Sequence, residues 1–216
     1  MNMKRRDFSL ALAAAGCTLV SGQPARAQGG PVEGKHYTRL QQPAAVQAAD
    51  GKVEVVEFFW YGCPHCHALE PTLEAWAKQL PPDVVLRRSP VAFGAIHETH
   101  GRIYFALEAL GQVGAMHRKV FNALHGQKLR LDKEADIVAF MAANGVDGPK
   151  FAEAFKSFTV QTRSRQSKQL AEAYRVDSVP TLGVQGRFVT SASLAGSNEG
   201  ALQVVDFLVQ QVRKRA

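Results

Sequence analysis

The chain has 216 residues, of which 46% are hydrophobic and 21% charged, and a formal net charge of +7. That length fits one medium domain, or a domain carrying an insertion. Lys and Arg are scattered except in the terminal Arg213-Lys214-Arg215, where cations close a last helix; with no basic stripe, a nucleic-acid partner is excluded.

In chain order, the first element is an export signal. Lys4, Arg5 and Arg6 form a basic region, Phe8 to Val20 an apolar stretch too short to span a bilayer, and Ala25-Arg26-Ala27 a small-residue cleavage site. This predicts a signal peptide over residues 1–27, cut after Ala27, and a mature chain from Gln28 with a charge near +4. Arg5-Arg6-Asp7-Phe8-Ser9-Leu10 resembles a twin-arginine signal, which leaves the twin-arginine and general secretory routes both open. Leu12 to Cys17 is a degraded lipoprotein box, with Ala14 where a large apolar residue is usual. Cleavage removes Cys17 and leaves Cys63 and Cys66 alone in an oxidising compartment.

His36 to Leu40 reads as a short first strand and Lys52 to Trp60 as a central buried one, apolar on both sides except for its glutamates. Pro64 to Leu80 is a helix stopped by Pro81-Pro82. Val84 to Ser89 is the next strand, parallel to the central one by a right-handed crossover. From Ile96 to about Thr159 no β pattern occurs. Amphipathic runs at Ile103–Leu110, Met116–Leu124, Ile137–Met141 and Phe151–Phe155 give four helices, and Thr162 to Tyr174 a more polar fifth. Thr181–Gln185 and Arg187–Thr190 flank Gly186 as a hairpin, and Ser197-Asn198 caps a last helix through Val212. The order predicts an α/β chain in which residues 28–95 and 160–216 form one unit and 96–159 an inserted helical domain.

Cys63-Pro64-His65-Cys66 lies where the central strand turns into the helix. Two cysteines at this spacing close a disulfide over one helical turn. The first sits at the helix N-terminus, where free N–H groups and the helix dipole favour a thiolate. Cys63 is therefore the candidate nucleophile and Cys66 the resolving thiol. Pro64 suits the first helical turn, having no N–H to leave unpaired. His65 offers an imidazolium beside the sulfur. A stabilised thiolate favours the dithiol and makes the disulfide an oxidant. Glu57 is an acid in an apolar strand: buried, its pKa rises and it can relay a proton at Cys66; at an edge it faces water. Val179-Pro180 precedes a strand. A cis bond there would free the backbone of Val179 to pair with an extended substrate, whereas base rates favour trans.

These residues, in this order and spacing, resemble the DsbA-type thiol:disulfide oxidoreductases of bacterial envelopes. Glu57-Phe58-Phe59, Cys63-Pro64-His65-Cys66 and Val179-Pro180-Thr181 carry the likeness, which covers essentially the whole mature chain. The resemblance implies a thioredoxin-like fold with an inserted helical domain, a periplasmic location, a cis Pro180, and oxidation of newly exported proteins. Reoxidation would come from a quinone-linked membrane partner of the DsbB type. It implies that Cys63 attacks, Cys66 resolves, Glu57 is the buried acid and Val179-Pro180 cradles substrate. Two departures stand out. Arg88 takes the place of a lysine beside the acid, and arginine does not readily give up its proton. Pro90 replaces a polar residue of the substrate groove.

Rival readings are specific. Cys63-x-x-Cys66-His67 matches the c-type haem motif, with Met116 or Met141 as a sixth ligand; the strand that feeds the motif and the downstream Val179-Pro180 argue against it. Cys63, Cys66, His65 and His67, or His97 with His100, are the candidate zinc ligands, but only two thiolates exist and His97 and His100 read as surface residues at a helix start. The expectation is thus no metal and no haem, the disulfide being the redox group. A reductase or isomerase is the alternative within the class. About 25 residues before the central strand leave no room for an isomerase's dimerisation domain, so a monomer is expected.

Overall fold

The seven residues of β2 (Val53–Phe59) are all buried, including both glutamates. Side chains alternate across a strand, so Glu54 and Glu57, three apart, point to opposite faces of the sheet. The adjacent Arg87 and Arg88 of β3 (Val84–Pro90) do the same, and parallel pairing sets Arg88 directly beside Glu57. Arg87 reaches Glu54 at 3.0 Å and Arg88 reaches Glu57 at 3.0 Å. Each of these two buried carboxyl groups thus has a guanidinium beside it.

The computed structural model describes residues 29–214. The predicted signal peptide, its cleavage site, Cys17 and Gln28 lie outside the described residues. The sheet runs β1-β5-β4-β2-β3, with β1 (Thr38–Arg39), β4 (Thr181–Val184) and β5 (Phe188–Thr190). Only β2 and β3 are parallel; β4 pairs antiparallel to β2 and to β5, and β5 to β1. Gln185 and Gly186 both have positive φ, and Arg187 N–H donates to Val184 C=O at 3.0 Å. That is the primed turn whose twist suits a hairpin.

Helix α1 (Pro64–Ala77) and α8 (Asn198–Arg213) cover one face of the sheet, where Leu69, Leu73, Val205 and Leu208 pack on Val53 and Val55. Between β3 and β4 the chain forms α2 (Ala95–Ala109), α3 (Val113–His125), α4 (Glu134–Ala143), α5 (Gly148–Lys156) and α6 (Phe158–Ala173). Their core of Ile103, Met116, Val120, Ile137, Met141 and Phe151 is continuous with Phe59, Tyr61 and Cys66. This is a thioredoxin-like sheet with an inserted helical region. The expected boundary at residue 160 falls inside α6. Val160 packs in the helical core, whereas Leu170 and Ala171 pack on the opposite sheet face with Val56 and Phe58. Tyr174 follows, filling the space above Gly183, where a Cβ would fall inside its ring.

Some boundaries differ from the sequence reading. Helix α1 ends at Ala77 rather than Leu80, capped at Lys78 before the two prolines, and it tolerates Pro71 in its interior. A four-residue α7 (Ala192–Ala195) precedes α8, too short to carry a periodic signal. His100 is buried at 2% exposure, not on the surface. Helix α2 begins at Ala95, so His97 and His100, one turn apart, share a face that packs against Trp60, His100 stacked and His97 tilted on it. Burial lowers the pKa of His100 to about 4 and keeps it neutral. Pro90 is buried as well, packed over Gly101.

Candidate active site

Cys63 is the N-cap of α1, in extended backbone geometry. Its Sγ accepts from the Cys66 N–H at 3.4 Å and lies 3.4 Å from the Val179 carbonyl oxygen, to which the thiol donates. Pro64 occupies the first helical turn. Cys66 is one turn inside and fully buried. Both cysteines are thiols, and the two differ sharply in acidity. The hydrogen bond from the Cys66 thiol is the largest influence on Cys63. Against burial, it combines with the Cys66 and His65 backbone N–H groups to bring Cys63 down to about 6. The charge of His65 contributes least among these, so the exposed imidazole is a lesser influence than its sequence position suggests. Burial, reinforced by Cys63, drives Cys66 the other way.

This asymmetry has a pH signature in the reduced protein. The folded pKa of Cys63 lies below the ordinary thiol value of 9.0. The resulting stabilisation is complete above about pH 9 and is lost as pH falls through about 6. The disulfide form has no thiol to titrate. The reduced protein should therefore gain stability relative to the disulfide form as pH rises from about 6 to about 9, and the difference should level off below about pH 6. Urea unfolding of both forms across this range, with thiolate absorbance followed in parallel, checks it; a pH-independent gap would contradict the assignment.

The Val179–Pro180 bond is cis. Val179 and Pro180 line a cleft of about 170 Å³ with His65, Ala68, Ser191 and Ser193. Glu57 is fully buried. Burial, then the charge of Glu70, raise its pKa to about 8 against the opposing pull of Arg88. Arg88 Nε stands 3.0 Å from Glu57 Oε2 without hydrogen-bond alignment, while its guanidinium donates to both oxygens of Glu70 at 3.0 and 3.3 Å. At neutral pH the site thus holds a protonated Glu57 and one Arg88–Glu70 ion pair.

Glu70 escaped the sequence reading, although a signal existed. Cys66, Leu69, Glu70 and Leu73 are the buried residues of α1, at the i, i+3, i+4, i+7 spacing of an inward face. An acid on that stripe is buried and needs partners. Its second partner, His117 on α3, has no local signal.

His67 and the two methionines of the haem reading have other neighbours. His67 Nε2 hydrogen-bonds Asn122 at 3.1 Å and its ring stacks on His125. Met116 and Met141 are buried in the helical core. Among the described residues no three His, Cys, Asp or Glu side chains converge as a metal site.

Residues 98–199 match the family model of the DSBA-like thioredoxin domain. The chain is 42% identical over 197 residues to the thiol:disulfide interchange protein DsbA of Burkholderia cepacia, covering 91% of this chain and 93% of that one. It is 43% identical to the DsbA of Bordetella pertussis, covering 95% and 96%. The chain belongs to the DsbA family. The crystal structure of Pseudomonas aeruginosa DsbA superposes with a TM-score of 0.83 at 39% identity, covering 86% of this chain and 96% of that one. Membership in the DsbA family makes this chain a thiol:disulfide oxidoreductase, and its cysteine pair stands at the strand–helix junction of that fold.

Proposed function

We propose that the Cys63–Cys66 disulfide oxidises reduced proteins exported to the periplasm, and that the disulfide is the enzyme's only redox group. The observation that carries this reading is the opposed acidity of the two thiols. A client thiolate attacks Cys63 Sγ, the S–S bond breaks, and Cys66 leaves, taking a proton. A second client thiolate then attacks the client sulfur of the mixed disulfide and expels Cys63. The client loses two electrons and gains a disulfide; the enzyme gains both electrons and ends as a dithiol. Cys63 departs as the better leaving group because its thiolate is stable at neutral pH.

Cys66, driven upward by burial, is a poor leaving group unless protonated. Glu57, protonated at neutral pH and near enough to Cys66 to influence its acidity, is the proton source. Arg88 holds charge and does not pass protons. Val179 and Pro180 flank Cys63 where an extended client segment would lie, and the Val179 carbonyl is an acceptor for it. Turnover requires an outside oxidant for the dithiol, assigned here to a quinone-linked membrane oxidase of the DsbB type.

Equilibration with glutathione buffers tests the direction. A reduction potential well above the ~−270 mV of thioredoxin is expected. A thioredoxin-like value would make the enzyme a reductase.

A further inference from the structure

Helix α3 of the helical region lays one stripe of side chains, His117, Phe121 and His125, against the segment that leads into Cys63. These residues stand at i, i+4 and i+8 and so share a helix face. His117 Nδ1 lies 2.8 Å from the Tyr61 hydroxyl, and Phe121 meets the Tyr61 ring with centroids 5.0 Å apart. His125 Nε2 donates to the Tyr61 carbonyl at 2.8 Å. Tyr61 is completely buried, two residues before Cys63, and is held at its hydroxyl, ring and backbone by the one helix. On its other side His117 Nε2 lies 3.0 Å from Glu70 Oε1.

The tautomer follows from these partners. An ionised Glu70 only accepts, so Nε2 carries the proton and Nδ1 accepts from the Tyr61 hydroxyl. Burial lowers the pKa of His117, keeping the ring neutral and both bonds in place. A continuous, largely buried chain results: Tyr61, His117, Glu70, Arg88, Glu57. It starts beside the attacking thiol and ends beside the resolving one.

We propose that His117 is a positioning residue for the exchange reaction, a single imidazole that holds Glu70 on Arg88 through Nε2 and Tyr61 through Nδ1, and so ties the helical region to both cysteines. With His117 in place, burial pushes Glu70 upward, but the His117 hydrogen bond and then Arg88 outweigh it, and Glu70 stays ionised. That fixed negative charge keeps the proton on Glu57. Without His117, Glu70 competes for the proton and Glu57 gives it up more readily. The groups that face Glu57 are Cys66 and Glu70 from α1, Arg88 from β3, Tyr104 from α2 and Tyr61 from the segment before α1. His117, with Glu74 nearby, acts through Glu70.

The proposal rests on Cys63 and Cys66 being the exchanging thiols, yet its readout does not require activity. Carbon-13 labelling of glutamate in the reduced full chain reports the Glu57 titration directly. His117→Phe should move that midpoint down from about 8 by about one pH unit. His117→Gln should restore it, because the amide can accept from Tyr61 and donate to Glu70 at once. A merely structural role would lower the stability of His117→Phe and leave the midpoint alone, which overturns the proposal. Should His117→Phe fail to fold, Glu70→Gln removes the charge that His117 holds and must produce the same downward movement; an unchanged midpoint there overturns it equally. Loss of exchange activity in Cys63→Ala with a normal Glu57 titration would separate the two assignments.

Discussion

Cys63→Ala should reduce thiol–disulfide exchange to background, whereas Cys66→Ala should stop it halfway, as a stable mixed disulfide between Cys63 and its client. At pH 7 a thiol brought down to about 6 is roughly nine-tenths thiolate, and an ordinary thiol near 9 is about one-hundredth thiolate. Cys66 lies above even that value and is fully buried. Left alone in Cys63→Ala, it therefore loses more than about a hundredfold in reactive fraction before access is considered. In Cys66→Ala, Cys63 still attacks a client disulfide, one client sulfur leaves, and no second enzyme thiol follows to release the other. Non-reducing electrophoresis of the variant mixed with a disulfide-bonded client reads the adduct, and reductant must dissolve it. An adduct formed by Cys63→Ala in place of Cys66→Ala would reverse the roles of the two thiols.

Arg88→Met should cost about 3–5 kcal/mol at neutral pH, because it breaks the buried Arg88–Glu70 ion pair and removes the cation that Glu57 shares. Glu57 is fully buried and Glu70 2% exposed, so neither has water to replace the guanidinium. The sign of the pH dependence follows. Without Arg88 both carboxyls lose a group that lowers their folded pKa values, so the folded variant holds more protons than the folded parent. The penalty grows as pH rises above the ordinary carboxylate range and fades as pH falls into it. Urea midpoints at about pH 7.5 and about pH 4.5 should differ far more for the variant than for the parent. A loss of equal size at both would mean that Arg88 acts by packing alone.

What was legible in the sequence was carried by spacing. The C-x-x-C pair between a strand run and a helix run located the nucleophile, and the two strands around it fell where β2 and β3 lie. Arg88 was marked beside Glu57 through the family resemblance alone, and the parallel register of β2 and β3 sets it there. The hairpin at Gly186 was legible through its turn residue. Contacts between residues far apart in the chain were not. His117 meets Glu70 across 47 residues and Tyr61 across 56, and no local pattern specifies either. His100 was misplaced because a histidine at a helix start reads as polar surface; its burial depends on Trp60, 40 residues earlier, covering that face. The acidity of Cys63 was expected to owe much to His65, yet the neighbouring thiol and backbone donors dominate, a ranking that requires coordinates.

The Val179 carbonyl that touches Cys63 stands 116 residues downstream of it. During synthesis the cysteine pair is thus made long before its partner loop exists. A chain interrupted after α5 would carry both thiols but neither the Val179 acceptor nor the β4 strand that walls β2. The reactive site is therefore complete only when the last part of the chain has docked, and fragments of this protein should be poor disulfide donors.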